Sequence, residues 1–293
     1  MEKIYLFFLI ILSLSFIFVL ISPYITGLEF IHSKNTFNST CHMERDNRLE
    51  EKGLFSDKLQ VKKYLKKNYP EIKFAKILHE LENPEEILNL KLPNTFYLKC
   101  STGCSTHQLV KNNMIIDKKT KKEKKLSKDI LFNLSKKYLK QDFGNSFGVL
   151  KKLPYFNFKE LHYNYNSNKI FIEEYLDNVY EFRVYYGNQK LLFCEKIEDG
   201  KFGFYDRNWN QIQDVVRDTL TKNNYTKKPK CFEEILKFSD NFINDQKFNL
   251  IRIDFFIDKE ETDFYFCEFT FCPENCLRAF SNQFNSKHKE LFT

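Results

Sequence analysis

Two acidic residues inside apolar runs near the C-terminus constrain this chain more than any other feature. Asp254 lies in Leu250-Ile251-Arg252-Ile253-Asp254-Phe255-Phe256, and Glu268 in Phe264-Tyr265-Phe266-Cys267-Glu268-Phe269-Thr270. Each run reads as a buried strand. The segment between them, Asp258 to Asp263, is polar and turn-like, so the two strands are expected to form a hairpin. A carboxylate is expensive to bury unless a cation or hydrogen bonds compensate. Two such carboxylates on paired strands, with Arg252 two residues before the first, point to a divalent-metal and phosphate site. Mg²⁺ in nucleotide enzymes is typically held by one or two carboxylates plus substrate phosphates. The competing reading is a pair of strand-end carboxylates facing water, or an Arg252–Asp254 structural ion pair.

The N-terminus imposes a second constraint. Ile4 to Leu28 carries no charge, and Ile4 to Ile21 is apolar apart from Ser13 and Ser15. That is long enough for a helix to cross a bilayer. Ser22-Pro23 breaks the helix near the interface, and Tyr24 is placed as an aromatic anchor. A cleaved signal peptide is the alternative, but no small-residue cleavage site stands out. Residues 1–28 are therefore read as a transmembrane signal anchor of a single-pass membrane protein. Lys3 and Lys34 leave its orientation undetermined. Residues 29–53 are polar, lack periodicity and read as a juxtamembrane linker.

The remainder of the 293 residues can bury a substantial core, and 29% charged residues mark it as globular. The net charge of +7 fits polyanionic ligands such as nucleotides, acidic glycans or anionic lipids. No nucleic-acid recognition fold is evident. Eight cysteines include two pairs spaced alike, Cys100/Cys104 and Cys272/Cys276. These could form a four-thiolate zinc site, remain buried free thiols, or form disulfides in an oxidising compartment.

A helix capped by Ser56 is expected to end near Asn68-Tyr69-Pro70, followed by a strand over Glu71–Ile77 and a short helix from Pro84. Strands are expected near Phe96–Lys99 and Met114–Ile116. The basic run Lys118–Lys128 reads as a solvated loop, or as an electrostatic guide to an acidic substrate or lipid. Ser127–Gln141 and Cys231–Asn244 have helical periodicity. Further strands are expected near Lys169–Glu173, Glu181–Tyr186 and Lys190–Lys196.

Several polar side chains inside these apolar runs call for partners. Lys99 ends a strand, where a lone ammonium is costly. The small residues behind it, Ser101, Thr102, Gly103 and Ser105, can offer backbone N–H groups to phosphate oxygens. Glu173-Glu174-Tyr175-Leu176 marks a strand end, and Arg183 sits on an alternating strand.

The ordered series of Lys99, small-residue loop, strand-end glutamate, strand arginine, Arg252-x-Asp254 and Glu268-x-Thr270 resembles an ATP-grasp nucleotide-binding domain. It is most similar to the TupA-like (teichuronopeptide biosynthesis) branch. An Asp57-Lys58 helix start, Leu92-Pro93 before Lys99, Ile172-Glu173-Glu174-Tyr175-Leu176, Glu181-Phe182-Arg183 and Tyr205-Asp206-Arg207-Asn208-Trp209 carry the likeness. It covers about residues 54 to 280.

The resemblance implies an α+β ATP-grasp fold in which two subdomains clamp ATP, behind the N-terminal transmembrane helix. Residues 54–92 would form an N-terminal α/β segment, 93–170 the lid subdomain, and 171–293 the metal- and nucleotide-binding subdomain. Lys99 would bind the α- or β-phosphate, and Ser101 to Ser105 would form a mobile loop over the phosphates. Glu173, Glu174, Tyr175 and Leu176 would meet adenine along the hinge. Asp254, Glu268 and Thr270 would hold Mg²⁺. Arg183 would neutralise phosphate or substrate charge, and Arg252 would stabilise a developing oxyanion.

The implied activity is an ATP-dependent carboxylate–amine ligase proceeding through an acyl phosphate. Its substrates, by analogy, are an acidic glycan or uronic acid and an amino acid. Two departures keep other readings open: Cys100 and Cys104 flank a loop with a single glycine, and Glu274-Asn275-Cys276 replaces a Gly-rich segment. The alternatives are an inactive nucleotide- or glycan-binding protein and an ATP-dependent glycan phosphotransferase.

Overall fold

The computed structural model describes Ser13, Ser15 and residues 36–103, 106–117, 120–141, 160–213, 215–216, 227–276 and 280–289. The expected membrane anchor, apart from Ser13 and Ser15, lies outside the described residues, as does Ser105. Among the described residues no helix is long and apolar enough to cross a membrane.

Two antiparallel sheets organise the described residues. The first contains β1 (Ile77–Leu81), β2 (Phe96–Cys100), β3 (His107–Lys111), β4 (Met114–Ile116), β5 (Glu123–Lys125) and β6 (Ile170–Glu174), in the order β1-β6-β2-β3-β4-β5. The second contains β7 (Val179–Gly187), β8 (Lys190–Glu198), β9 (Lys201–Tyr205), β10 (Leu250–Asp258) and β11 (Phe264–Thr270), in the order β11-β10-β7-β8-β9. Tyr175 to Asn178 connects them directly. The architecture is α+β, as expected.

Period-two alternation explains how the second sheet carries charge without losing its core. On β10, Ile251, Ile253, Phe255 and Ile257 are buried in an aromatic-rich core. The Phe232–Gln246 helix lays its stripe of Phe232, Ile235, Leu236, Phe242 and Ile243 into the same core. Arg252 and Asp254 therefore point to the opposite face. The first sheet has its own core, where Phe96, Leu98 and Ile172 meet Leu131 and Tyr138 of the Lys128–Leu139 helix.

The structure corrects several sequence expectations. Most of the 29–53 linker that is described is helical: Phe37–Arg45 and Leu49–Ser56 are helices, the first opened by a Thr36/Ser39 capping box. Their anchors are few but large. Phe37 contacts Phe280 and Tyr185, and Phe55 packs among Tyr64, Phe242, Phe248 and Phe269. The next helix, Lys58–Asn68, is capped by Asp57 rather than Ser56. Asp57 Oδ1 accepts from the Leu59 and Gln60 amides at 2.9 Å each, whereas the Ser56 hydroxyl turns back to Lys52 O.

The expected Glu71–Ile77 strand is instead β1, which starts at Ile77 and pairs with β6; Phe74 makes only a single bridge to Phe266. β3 and β9 were not foreseen, and part of the basic run forms the exposed edge strand β5. The two equally spaced cysteine pairs do not define a common site. Cys276 is bonded to Cys41, Cys100 is a buried free thiol in the first sheet's core, and Cys104 lies outside the described residues.

Candidate functional site

A row of charged residues crosses the face of the second sheet opposite the helix-packed core, beside a second aromatic cluster that includes Tyr185, Phe193 and Phe204. Glu268 on β11 pairs with Asp254 on β10, Asp254 with Arg183 on β7, and Arg183 with Glu195 on β8. A bulge in β11 at Cys267 keeps Glu268 beside Asp254 while Phe266 faces the core with Phe255. Arg252 lies one step along the same face. Its guanidinium grips Asp254 in a two-pronged pair, with Nε–Oδ1 2.7 Å and Nη2–Oδ2 2.6 Å. It also donates to Thr270 Oγ1 at 3.2 Å and lies 4.0 Å from Glu268 Oε1. Arg183 donates to Glu181 at 2.7 Å and reaches Glu195 at 3.5 Å.

The two carboxylates differ in exposure: the Asp254 side chain is 3% exposed and that of Glu268 31%. Burial raises the Asp254 carboxyl to about 6 despite its guanidinium partner. Burial also opposes charge on Glu268, but Lys58, Arg252, Lys99 and Arg183 outweigh it and hold that carboxyl below its ordinary value.

Lys58 was not singled out as a site residue, although the Asp57-Lys58 motif marked its position. Its Nζ lies 3.6 Å from Glu268 Oε2 and donates to Gly103 O at 2.8 Å. It therefore links the Lys58–Asn68 helix, the small-residue turn and the carboxylate pair. Glu160 was also missed, since it lies in a stretch with no periodic pattern. It is buried, and burial together with Glu268 pushes its carboxyl up to about 7.

A second polar cluster sits where β6 of the first sheet leads into β7 of the second. Glu173 at the end of β6 is 2% exposed and pairs with both Lys99 and Lys62. Lys99 thus has the anionic partner its strand position required. Lys62 was foreseen only as part of the helix. Beside this cluster is a cavity of about 240 Å³, lined chiefly by Tyr97, Lys99, Glu173, Tyr175, Leu176 and Phe256. Aromatic and aliphatic walls with a few polar groups suit a planar base. All four expected hinge residues, Glu173, Glu174, Tyr175 and Leu176, line it. Glu174 also fixes the edge of the sheet, its carboxylate accepting from Lys76 N at 2.6 Å.

The small-residue turn is more tightly held than a free flap. Ser101 and Thr102 are fully buried. The Ser101 amide donates to Lys169 O at 2.8 Å, its hydroxyl accepts from Lys169 N at 3.1 Å, and its carbonyl accepts from Lys58 N at 2.7 Å. Thr102 bonds Asn168, and Thr106 Oγ1 donates to Thr102 O at 2.9 Å. The Ser101 amide is therefore engaged within the protein. Gly103 supplies the positive φ of 77° that lets this turn close.

Hard carboxylate oxygens on adjacent strands, one of them open to solvent, fit a hard divalent cation. The cavity beside Glu173 has room and walls that could take a planar base. Asp254 and Glu268 would hold magnesium, while Lys99, Lys58 and Arg183 are the cations beside it.

The chain belongs to the TupA-like ATP-grasp family, whose model, described as "TupA-like ATPgrasp", matches residues 38–291. No curated protein matches the sequence. Among solved structures, D-alanine-D-alanine ligase from Helicobacter pylori is similar at 16% identity with a TM-score of 0.45, covering 81% of this chain and 60% of that one. D-alanine–D-alanine ligase from Bacillus anthracis is similar at 18% identity with a TM-score of 0.42, covering 76% and 59%. A biotin carboxylase from Campylobacter jejuni is similar at 12% identity with a TM-score of 0.42, covering 75% and 41%. The chain thus spans less than two thirds of the length of each.

Proposed function

We propose that this protein is an ATP-dependent carboxylate–amine ligase. In this reading the base of ATP enters the hinge cavity between Tyr97 and Phe256, and Lys99 meets the phosphates. Magnesium held by Asp254 and Glu268 would neutralise phosphate charge and favour phosphoryl transfer. Arg183 and Arg252 keep positive charge at the face where a substrate carboxylate becomes an acyl phosphate and is then attacked by an amine. The observation that carries the reading is the cross-strand Asp254–Glu268 pair with Lys58 and Arg252 against it.

The reading extends to the substrates and setting. The carboxylate is an acidic glycan or uronic acid and the amine an amino acid, by analogy with the family. The uncharged Ile4–Leu28 stretch anchors the enzyme where such an acceptor is assembled.

The test is hydroxylamine trapping by the full-length protein in detergent, supplied with ATP, Mg²⁺ and uronic acids. Hydroxamate that depends on both ATP and Mg²⁺ is the expected product. ADP release on a glycan without hydroxamate would instead identify a phosphotransferase acting on a hydroxyl. Binding of MgATP with no turnover on any acceptor would identify a nucleotide-binding pseudo-enzyme. That last reading draws support from the engaged Ser101 amide and the closed Arg252–Asp254 pair.

A further inference from the structure

The Cys41–Cys276 disulfide joins the Phe37–Arg45 helix to the short turn Pro273–Cys276 that follows β11. A third cysteine stands beside it. Cys272 is a free thiol, and the Sγ atoms of Cys41, Cys272 and Cys276 all lie within 4.8 Å of one another. All three residues are buried. Cys272 precedes and Cys276 ends the four-residue 3-10 turn Pro273–Cys276, so a bond between them forms when that short turn brings their Cα atoms into the range a disulfide spans, roughly 4.4–6.8 Å. Cys272 Sγ therefore has both sulfurs of the Cys41–Cys276 disulfide within reach.

We propose that these three cysteines form a disulfide-exchange site that ties or frees the N-terminal helix. Cys272 Sγ–H gives its proton to water, and the thiolate attacks Cys276 Sγ. The Cys272–Cys276 bond forms as the Cys41–Cys276 bond breaks. Cys41 leaves as a thiolate and takes a proton from water. The step is an isomerisation: one disulfide and one thiol stand on each side, so it needs no net oxidant. The sulfurs are buried, so exchange is slow in the closed fold and proceeds when the turn opens locally.

The consequence is structural. In one isomer the Phe37–Arg45 helix is covalently fixed to the segment that follows Thr270, the residue that accepts from Arg252. In the other it is held without a covalent tie, by contacts that include Phe37 against Tyr185 and Phe280, the Phe37 amide on Asn285 Oδ1 at 3.2 Å and Asn249 Nδ2 on Glu44 Oε1 at 3.0 Å. A thiolate metal site is the rival use of the same trio. The existing disulfide occupies two of its three donors and favours exchange.

The test equilibrates full-length protein in glutathione buffers of stepped thiol-to-disulfide ratio. It then quenches with acid and maps disulfides after cleavage by trypsin and a glutamate-specific protease. Cleavage after Glu274 separates Cys272 from Cys276. The expected result is two linked species, Cys41–Cys276 and Cys272–Cys276, with severalfold faster deuterium uptake over residues 37–45 in the second. Cys272→Ser should show only the first species. Cys272 labelled as a free thiol at every ratio in the wild-type protein would overturn the proposal. So would stoichiometric zinc retained by the reduced wild-type protein without any Cys272 disulfide on reoxidation.

Discussion

Lys58 Nζ stands 3.6 Å from Glu268 Oε2 and is held there by Gly103 O at 2.8 Å. An ammonium thus faces the more exposed of the two candidate magnesium ligands from outside the sheet. Glu268→Gln is expected to abolish magnesium-dependent ATP binding in calorimetry. Lys58→Met should weaken MgATP by about tenfold or more, near 1.4 kcal/mol, while leaving the fold intact by circular dichroism. Unchanged affinity in both variants would remove the carboxylate pair from the nucleotide site.

Arg252 and Asp254 form a fork-to-carboxylate pair, and Lys cannot reproduce that geometry. Arg252→Lys should keep ATP binding within a few-fold yet lower turnover by at least about tenfold, or about 1.4 kcal/mol of barrier. Asp254→Asn should lose magnesium dependence as Glu268→Gln does. Steady-state assays beside calorimetry separate the two effects.

Glu173 is the shared counter-ion of Lys62 and Lys99, and it is almost fully buried. Removing it leaves the Lys62 ammonium, 4% exposed, without a carboxylate. Glu173→Ala is expected to destabilise the protein by about 3–5 kcal/mol. Lys99→Met preserves the Lys62–Glu173 pair and should cost less stability while weakening ATP binding. Urea unfolding followed by fluorescence distinguishes them.

His162 is buried, its Nδ1 has no hydrogen-bond partner among the described residues, and burial, then Lys52, pushes its imidazole down to about 3. The fold keeps it neutral while the unfolded chain protonates near its ordinary value of about 6.5. Its contribution is therefore complete above pH about 6.5 and is lost as pH falls toward about 3. Glu160 acts in the opposite sense. Its raised value of about 7 gives a contribution present below about 4.5 and lost as pH rises through about 7. His162→Gln should therefore flatten the fall in stability between pH 6 and 4, by up to about 1.4 kcal/mol per pH unit relative to wild type. An identical pH profile in the two proteins would count against a neutral buried imidazole.

Much of the site was legible because it lies on strands whose apolar flanks announce burial. Asp254, Glu268, Arg183 and Glu173 each interrupt such a run, and each proved to face a charged partner. Lys58 and Lys62 were harder to read because a lysine at a helix start, or one turn in, looks the same whether it meets solvent or a carboxylate. The Phe37–Arg45 and Leu49–Ser56 helices escaped notice since Phe37, Cys41 and Phe55 are too sparse to make a periodic stripe. They are held by a disulfide and by aromatic partners that, Tyr64 apart, lie more than 100 residues away. β5 was hidden by its composition: Glu123-Lys124-Lys125 is an exposed edge, where charged residues discourage pairing with another chain.

The position of β6 between β1 and β2 has a consequence for synthesis of the chain. β1 and β2 are neighbours of β6 on opposite sides, yet both precede it by some seventy residues or more. A nascent chain that stops short of Ile170 holds two strands with no common partner, and such distant pairing is slow to form. Glu173 then arrives as nearly the last residue of that strand. The first sheet closes, and Lys62 and Lys99 acquire their buried counter-ion, only when the ribosome has released more than half of the protein.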